Sequence, residues 1–391
     1  HCHKDSGGGK KENRRVLNLD HAAATDVLPE VLAAHADLCR NHVANPHGTT
    51  RYGEASRRAI VRAERDLLGC LRIPEEEARV IWTSGGTEAV NQSVLGSSEF
   101  VAKSGVLVDP AAHPAMLEPC RVLEHETEAK MTPFALSSTG ELVLPECAPT
   151  PACRLAAVCH VNNETGAVAD LTALRRWLDR FCPDARLAVD AVQTFGKLPV
   201  PWRQGRIDLL ALSARKLGGP TGVGALVVRR GVEVGPLLHG GGQQRGLRAG
   251  TLDTVGIVEF VMAAQIRCAR AAQELEHAGR LHAEVRRRLA TWDGPAPVFL
   301  SPDDVSPWIL CLAFPGYEGA LVMRLLAERD VLVGTGSACS AESAKTSHVL
   351  AAMGVGDKVA RAALRVSFGS SSTTDDVGIF IDALRSVFAD W

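Results

Sequence analysis

Between about residue 60 and residue 230 the chain alternates short, nearly continuous apolar runs with stretches in which apolar residues recur every three or four positions. The runs are RVIWTS (79–84), GVLVD (105–109), LAAVCHV (155–161), RLAVD (186–190), DLLALSA (208–214) and GALVVRR (224–230). Strands covered on both faces have this character, so the runs predict a mainly parallel sheet with crossover helices. Leu171, Leu174, Leu178 and Phe181 step by three and four behind Asp170, which predicts a capped amphipathic helix. A second helix is predicted to start near Gln273, with Leu281, Val285 and Leu289 on one face and Arg286 to Arg288 towards solvent. It leads out of the larger unit. Beyond it, WILCLAF, RDVLVGTGSACS and RAALRVSFG predict a smaller α+β unit.

Composition narrows the class. The 391 residues exceed what one core usually organises, 46% are apolar, and 43 Lys and Arg nearly cancel 45 Asp and Glu. A net charge of −2 provides no electrostatic footprint for nucleic acid or an anionic membrane. No apolar stretch is long enough to span a bilayer. The opening HCHKDSGGGKKENRR is polar and basic without a hydrophobic run behind it, so it is read as a flexible tail (1–15) and not as a secretory signal. His1, Cys2 and His3 have metal-ligand chemistry, but a terminal position favours disorder over a site. The eleven cysteines are odd in number and contain no C-x-x-C pair. That argues for a reducing compartment and places the protein in the cytoplasm, with an organellar matrix left open. Most of them, such as Cys159 and Cys311, sit in apolar runs as small core residues.

In an open parallel sheet, ligands gather at the carboxyl ends of the strands. Five of these ends run into polar, glycine-rich or titratable segments: GGTEAVN, PAAHPAM, NNETG, AVQTFG and RKLGGP. TSGGTE (83–88) places two glycines and a threonine where a strand turns into a helix, an arrangement that suits a phosphate, although alone it could be a plain turn. No G-x-x-x-x-G-K-[ST] or G-x-G-x-x-G occurs, which weakens a nucleotide reading. Lys216 follows a buried strand and precedes a glycine-rich turn. A lysine there is usually solvated, but one withdrawn from water can form a Schiff base. Asp190 could cap a helix, or it could hold a pyridinium N–H; Gln193 could be exposed, or it could face the ring's phenolic oxygen. Together, a lysine, a strand-end acid 26 residues before it and an anion cradle match the demands of pyridoxal 5′-phosphate.

Longer stretches carry a resemblance. LNLDHAAAT (17–25), NPHGTTRYGEASR (45–57), WTSGGTEAVN, HVNNETGAV, VDAVQTFGK, SARKLGGPTGVGALVVRR, GGGQQRGLRAGTLDT, GTGSACSAES and ALRVSFG occur in this order. The chain resembles the NifS/IscS-type cysteine desulfurases, pyridoxal-phosphate enzymes of the class V aminotransferase fold. The resemblance implies an aspartate-aminotransferase-like architecture with a seven-stranded sheet. It implies a large cofactor-binding domain (29–269) and a small α+β domain (16–28 with 270–391). In that likeness Lys216 carries the covalent link to the cofactor and moves the substrate's α proton, and His113 stacks on the ring. Asp190 and Gln193 contact the ring nitrogen and oxygen, while Gly86, Thr87, Ser213 and Arg215 hold the phosphate. Thr251 reaches the phosphate of a neighbouring subunit, which implies a homodimer. Asn163 and Arg365 grip the amino acid carboxylate, Arg365 through a two-pronged contact. Cys339 is the nucleophile that takes sulfur from L-cysteine as a persulfide, releases L-alanine and passes the sulfur to an acceptor protein, as in iron–sulfur cluster biogenesis. The segment around Cys339 is small and polar, unlike a core, and Thr346 lies seven positions beyond Cys339, the length found in the longer-loop branch.

The chain also departs from the family. Arg215 stands where a histidine is usual, Ala112 where a glutamate is, and Gln244, Ala249 and Asp253 replace Glu, Ser and Asn. Thr346 replaces a proline, and His21, Ala24 and Asp26 alter the N-terminal motif. None of these removes a bond-making residue. Selenocysteine lyase chemistry on the same scaffold, a non-catalytic sulfur-relay scaffold and a simple aminotransferase or lyase that does not need Cys339 remain as alternatives.

Overall fold

In a computed structural model that describes residues 16–302, 305–336 and 346–391, the six apolar runs become strands of one seven-stranded sheet. Across the sheet the order is Ala78–Thr83, Gly224–Arg229, Leu209–Ser213, Arg186–Asp190, Cys153–Cys159, Gly105–Val108 and Lys130–Pro133. Gly224–Arg229 runs antiparallel to both neighbours, and the remaining pairings are parallel. The runs are apolar throughout because both faces are covered. One face packs on a core containing Leu67, Leu174 and Phe260, the other on one containing Val90, Met116 and Leu123. The seventh strand, Lys130–Pro133, is implied by the family but has no apolar run of its own. It is an edge strand with exposed ends, where a lysine and a proline are tolerated.

The helix Leu171–Phe181 forms as predicted, with Asp170 Oδ1 accepting from Thr172 N at 3.0 Å and Ala173 N at 2.8 Å. The second predicted helix is longer. It starts at Thr254 and not near Gln273, and runs 37 residues to Ala290, roughly 55 Å at the α-helical rise. Its first half is rich in alanine and mostly enclosed, with only Gln265, Ala269, Arg270 and Ala272 exposed, so no continuous polar face marks the periodicity. Ile257, Phe260 and Ala264 join the sheet core, while Ala278, Leu281, Val285 and Leu289 join a second core. The boundary read at 269/270 therefore falls inside one continuous helix.

The second core gathers around the antiparallel sheet Val298–Phe299, Ile309–Ala313 and Ala363–Ser367 and the helices Gly319–Ala327 and Thr374–Ala389. The chain start belongs with it. Leu17–Asn18 pairs in parallel with Val331–Leu332, Asp20 bridges Ser367, and Leu17 and Leu19 are buried in this core.

Candidate active site

The register brings the carboxyl ends of the central strands to one edge. Gly224 lies opposite both Thr83 and Ser213, and Asp190 lies opposite Cys159 and Ala211. A cavity of about 530 Å³ opens along that edge. Gly86, Thr87, His113, Asp190, Gln193, Ser213, Arg215 and Lys216 all line it, and Asn163 and Arg365 close it from the side of the second core. Ten of the residues singled out in the sequence thus meet in one space. Thr251 does not: it is exposed and lies outside the cavity lining. Cys339 falls outside the described residues, as does the 1–15 tail.

The cradle of this cavity is built by close backbone approach. Gly85 takes φ +154°, a conformation L side chains rarely adopt, and opens the helix Gly86–Leu95. A Cβ on Gly86 would lie 2.8 Å from Val192 Cγ2, and one on Gly224 would lie 2.5 Å from the Gly85 carbonyl carbon. Only glycines let the turn, the strand end of Ser213 and the following helix converge. The helix N-terminus then offers unpaired N–H groups beside the Ser213 and Thr87 hydroxyls, a donor set that fits a phosphate.

Asp190 both caps its turn and faces the cavity. Oδ1 accepts from Val192 N at 2.9 Å, and Oδ2 has no protein partner among the described residues. Burial raises its carboxyl to about 6, opposed by the Val192 hydrogen bond and the Lys216 charge. A protonated ring nitrogen against such a group would hold it ionised. Gln193 is buried, and its Nε2 donates to Ala22 O at 2.9 Å. Lys216 follows Ser213 in a short 3₁₀ turn, where its Nζ donates to Ala22 O at 2.8 Å and Ala23 O at 2.5 Å. His113 caps the helix Pro114–Glu126, its Nδ1 accepting from Ala115 N at 3.1 Å. That bond puts the proton on Nε2. Burial, then the charges of Lys216, His348 and Arg365, lower its pKa, so it is a neutral imidazole at neutral pH.

Arg365 is 4% exposed in the strand Ala363–Ser367. Its Nη2 pairs with Asp20 Oδ1 at 2.7 Å and its Nη1 donates to the backbone carbonyl of Asn163 at 3.0 Å. Nε is buried with no partner among the described residues, a donor that a ligand carboxylate would satisfy. Asn163 enters this arrangement through its main chain.

The sequence reading missed three titratable residues here. Asp20 orients Arg365. Glu164 is 3% exposed, lines the cavity and accepts from Ser347 Oγ at 2.5 Å. Burial pushes its carboxyl up to about 7 against the pull of Ser347 and Arg365. Lys197, 4% exposed, donates to Gln193 Oε1 at 3.1 Å. Each lies in a polar motif whose residues look solvated in one dimension, and the only sequence signal was proximity to a residue already chosen. No group of His, Cys, Asp and Glu among the described residues could hold a metal ion, and no described helix is long and apolar enough to cross a membrane.

The residues present fit pyridoxal 5′-phosphate: Lys216 for the covalent link, Asp190 for the ring nitrogen, Gln193 for the ring oxygen and the Gly86 turn for the phosphate. Comparison with known proteins identifies the family. The class-V aminotransferase family model matches residues 17–380. Cysteine desulfurase IscS of Dictyoglomus turgidum is 31% identical, with 96% of this chain and 95% of that protein covered. IscS of Photorhabdus laumondii is 34% identical, covering 94% of this chain and 92% of its own. A solved NifS-like protein superposes with a TM-score of 0.88 at 27% identity, over 96% of this chain and all of that one. The chain therefore belongs to the class-V aminotransferase family, in its NifS/IscS cysteine desulfurase branch.

Proposed function

We propose that this protein is a pyridoxal-phosphate-dependent cysteine desulfurase that converts L-cysteine to L-alanine and carries the sulfur as a persulfide on Cys339. The observation that supports this most is the convergence of Lys216, Asp190 and Arg365 on one cavity, with the buried Nε of Arg365 unpartnered among the described residues. When bound, the cofactor supplies an electron sink for cleavage next to the amino acid's α carbon. The remaining work falls to the chain. Arg365, oriented by Asp20 and the Asn163 carbonyl, receives the substrate carboxylate. Lys216 moves the α proton, and neutral His113 offers a ring face and a second proton site. The Cys339 thiol takes the sulfur: its S–H becomes S–S–H, the substrate's C–S bond becomes C–H, and atoms balance as L-alanine plus enzyme persulfide.

A sulfur acceptor must then remove the outer sulfur, and iron–sulfur cluster assembly is the proposed use. Thr251, exposed on its loop, is proposed to complete the site of a second copy, which makes the working form a homodimer. The protein is proposed to act in the cytoplasm. The described cysteines are free thiols, in keeping with a reducing compartment. The test is to supply L-cysteine and a thiol reductant to cofactor-loaded protein and measure L-alanine. The account expects equimolar L-alanine and sulfide, with both lost in Lys216→Ala. Alanine release that survives the Lys216→Ala exchange would overturn it.

A further inference from the structure

Lys197 is a fully enclosed amine, its pKa lowered to about 7 by burial, whose hydrogen-bonding direction the proposed chemistry does not use. It lies four residues after Gln193, is 4% exposed, and donates through Nζ to Gln193 Oε1 at 3.1 Å. The charged groups acting on it are Arg267, Lys216 and Arg365, and it also acts on His21. None of these is an anion. The charged form of Lys197 is costly to bury, and its one side-chain partner among the described residues is the amide that lines the cofactor cavity.

The Gln193 amide is held at both ends. A protonated lysine can only donate, and a backbone carbonyl can only accept in either case. Oε1 must therefore point at Lys197, and Nε2 at the Ala22 carbonyl, 2.9 Å away. The flipped amide would set N–H against Nζ and oxygen against oxygen. The Ala22 carbonyl also accepts from Lys216 Nζ at 2.8 Å, so the same main-chain atom registers both side chains. Nε2 carries two hydrogens, and one remains for a ligand in the cavity.

We propose that Lys197 is a positioning residue that locks the Gln193 amide so that N–H, and not C=O, is presented to the ring oxygen of the bound cofactor. The inference rests on the pyridoxal-phosphate reading of the site. Without Lys197 only the Ala22 carbonyl orients the amide, and the ring oxygen is left with a less firmly held donor to stabilise its anionic form.

The test is a pH titration of the visible absorption of cofactor-loaded protein, combined with a double-mutant cycle. Lys197→Met should raise the midpoint of that transition by about one pH unit, the scale of one lost hydrogen bond. Gln193→Ala should raise it similarly, and the double variant should move no further than Gln193→Ala alone. Lys197→Gln, which keeps a neutral donor in the same place, should shift the midpoint less than Lys197→Met and serves if the methionine variant does not fold. Two results would overturn the proposal while leaving the cofactor reading intact. One is a midpoint unmoved by either Lys197 exchange. The other is a Lys197→Met shift as large in the Gln193→Ala background as in the parent, which would mean a direct field effect. A parent protein that shows no visible band with pyridoxal phosphate would sink both.

Discussion

Asp20 and Arg365 stand 345 positions apart in the chain and meet as an ion pair at 2.7 Å, both largely buried. The pair exists because the chain start is sewn onto the second core, with Leu17–Asn18 alongside Val331–Leu332 and Asp20 bridging Ser367. Gly334 closes the arrangement: a Cβ there would lie 2.7 Å from Asp20 Oδ1 and 2.8 Å from Arg365 Nη2. The guanidinium is thereby fixed with Nε as the edge that no described residue satisfies.

The first prediction concerns this pair. Asp20→Asn keeps the shape and an acceptor but removes the charge that orients Arg365. The KM for L-cysteine should rise about tenfold, the scale of a weakened charge-assisted contact, with kcat and cofactor content little changed. Steady-state kinetics together with cofactor absorbance would check this. An unchanged KM would show that Arg365 needs no help from Asp20, or does not bind substrate.

Glu164 sets a pH dependence of stability. Burial raises its folded carboxyl to about 7, against an ordinary value of 4.5. Between those two values the folded state holds a proton that the unfolded state has released. Stability from this group is therefore full below about pH 4.5 and is lost as pH rises towards 7. Glu164→Gln keeps the acceptor for Ser347 and removes the titration. Relative to the parent, the variant should gain on the order of 3 kcal/mol between pH 4.5 and pH 8. Urea unfolding of both proteins at the two pH values measures it, and a difference that does not vary with pH would refute the assignment.

The limits of the sequence as a guide follow from burial. Strands covered on both faces announce themselves as apolar runs, so Arg186–Asp190 and Leu209–Ser213 were legible to within a residue or so. The edge strand Lys130–Pro133 was invisible to that signal, and the mostly enclosed, alanine-rich first half of Thr254–Ala290 hid the helix start. At the site, Lys216, Asp190 and His113 could be found because strand ends and motif spacing mark them. Asp20, Glu164 and Lys197 could not. Their roles come from contacts made across the fold, and a buried carboxylate or ammonium is written with the same letter as a solvated one.

The most direct test of the central claim is mass spectrometry of cofactor-loaded protein after brief exposure to L-cysteine without reductant. The account predicts one added sulfur, located on the peptide that contains Cys339, removed by a thiol reductant and absent from Cys339→Ser. Turnover of L-cysteine to L-alanine with no sulfur on Cys339, or undiminished in the serine variant, would contradict it.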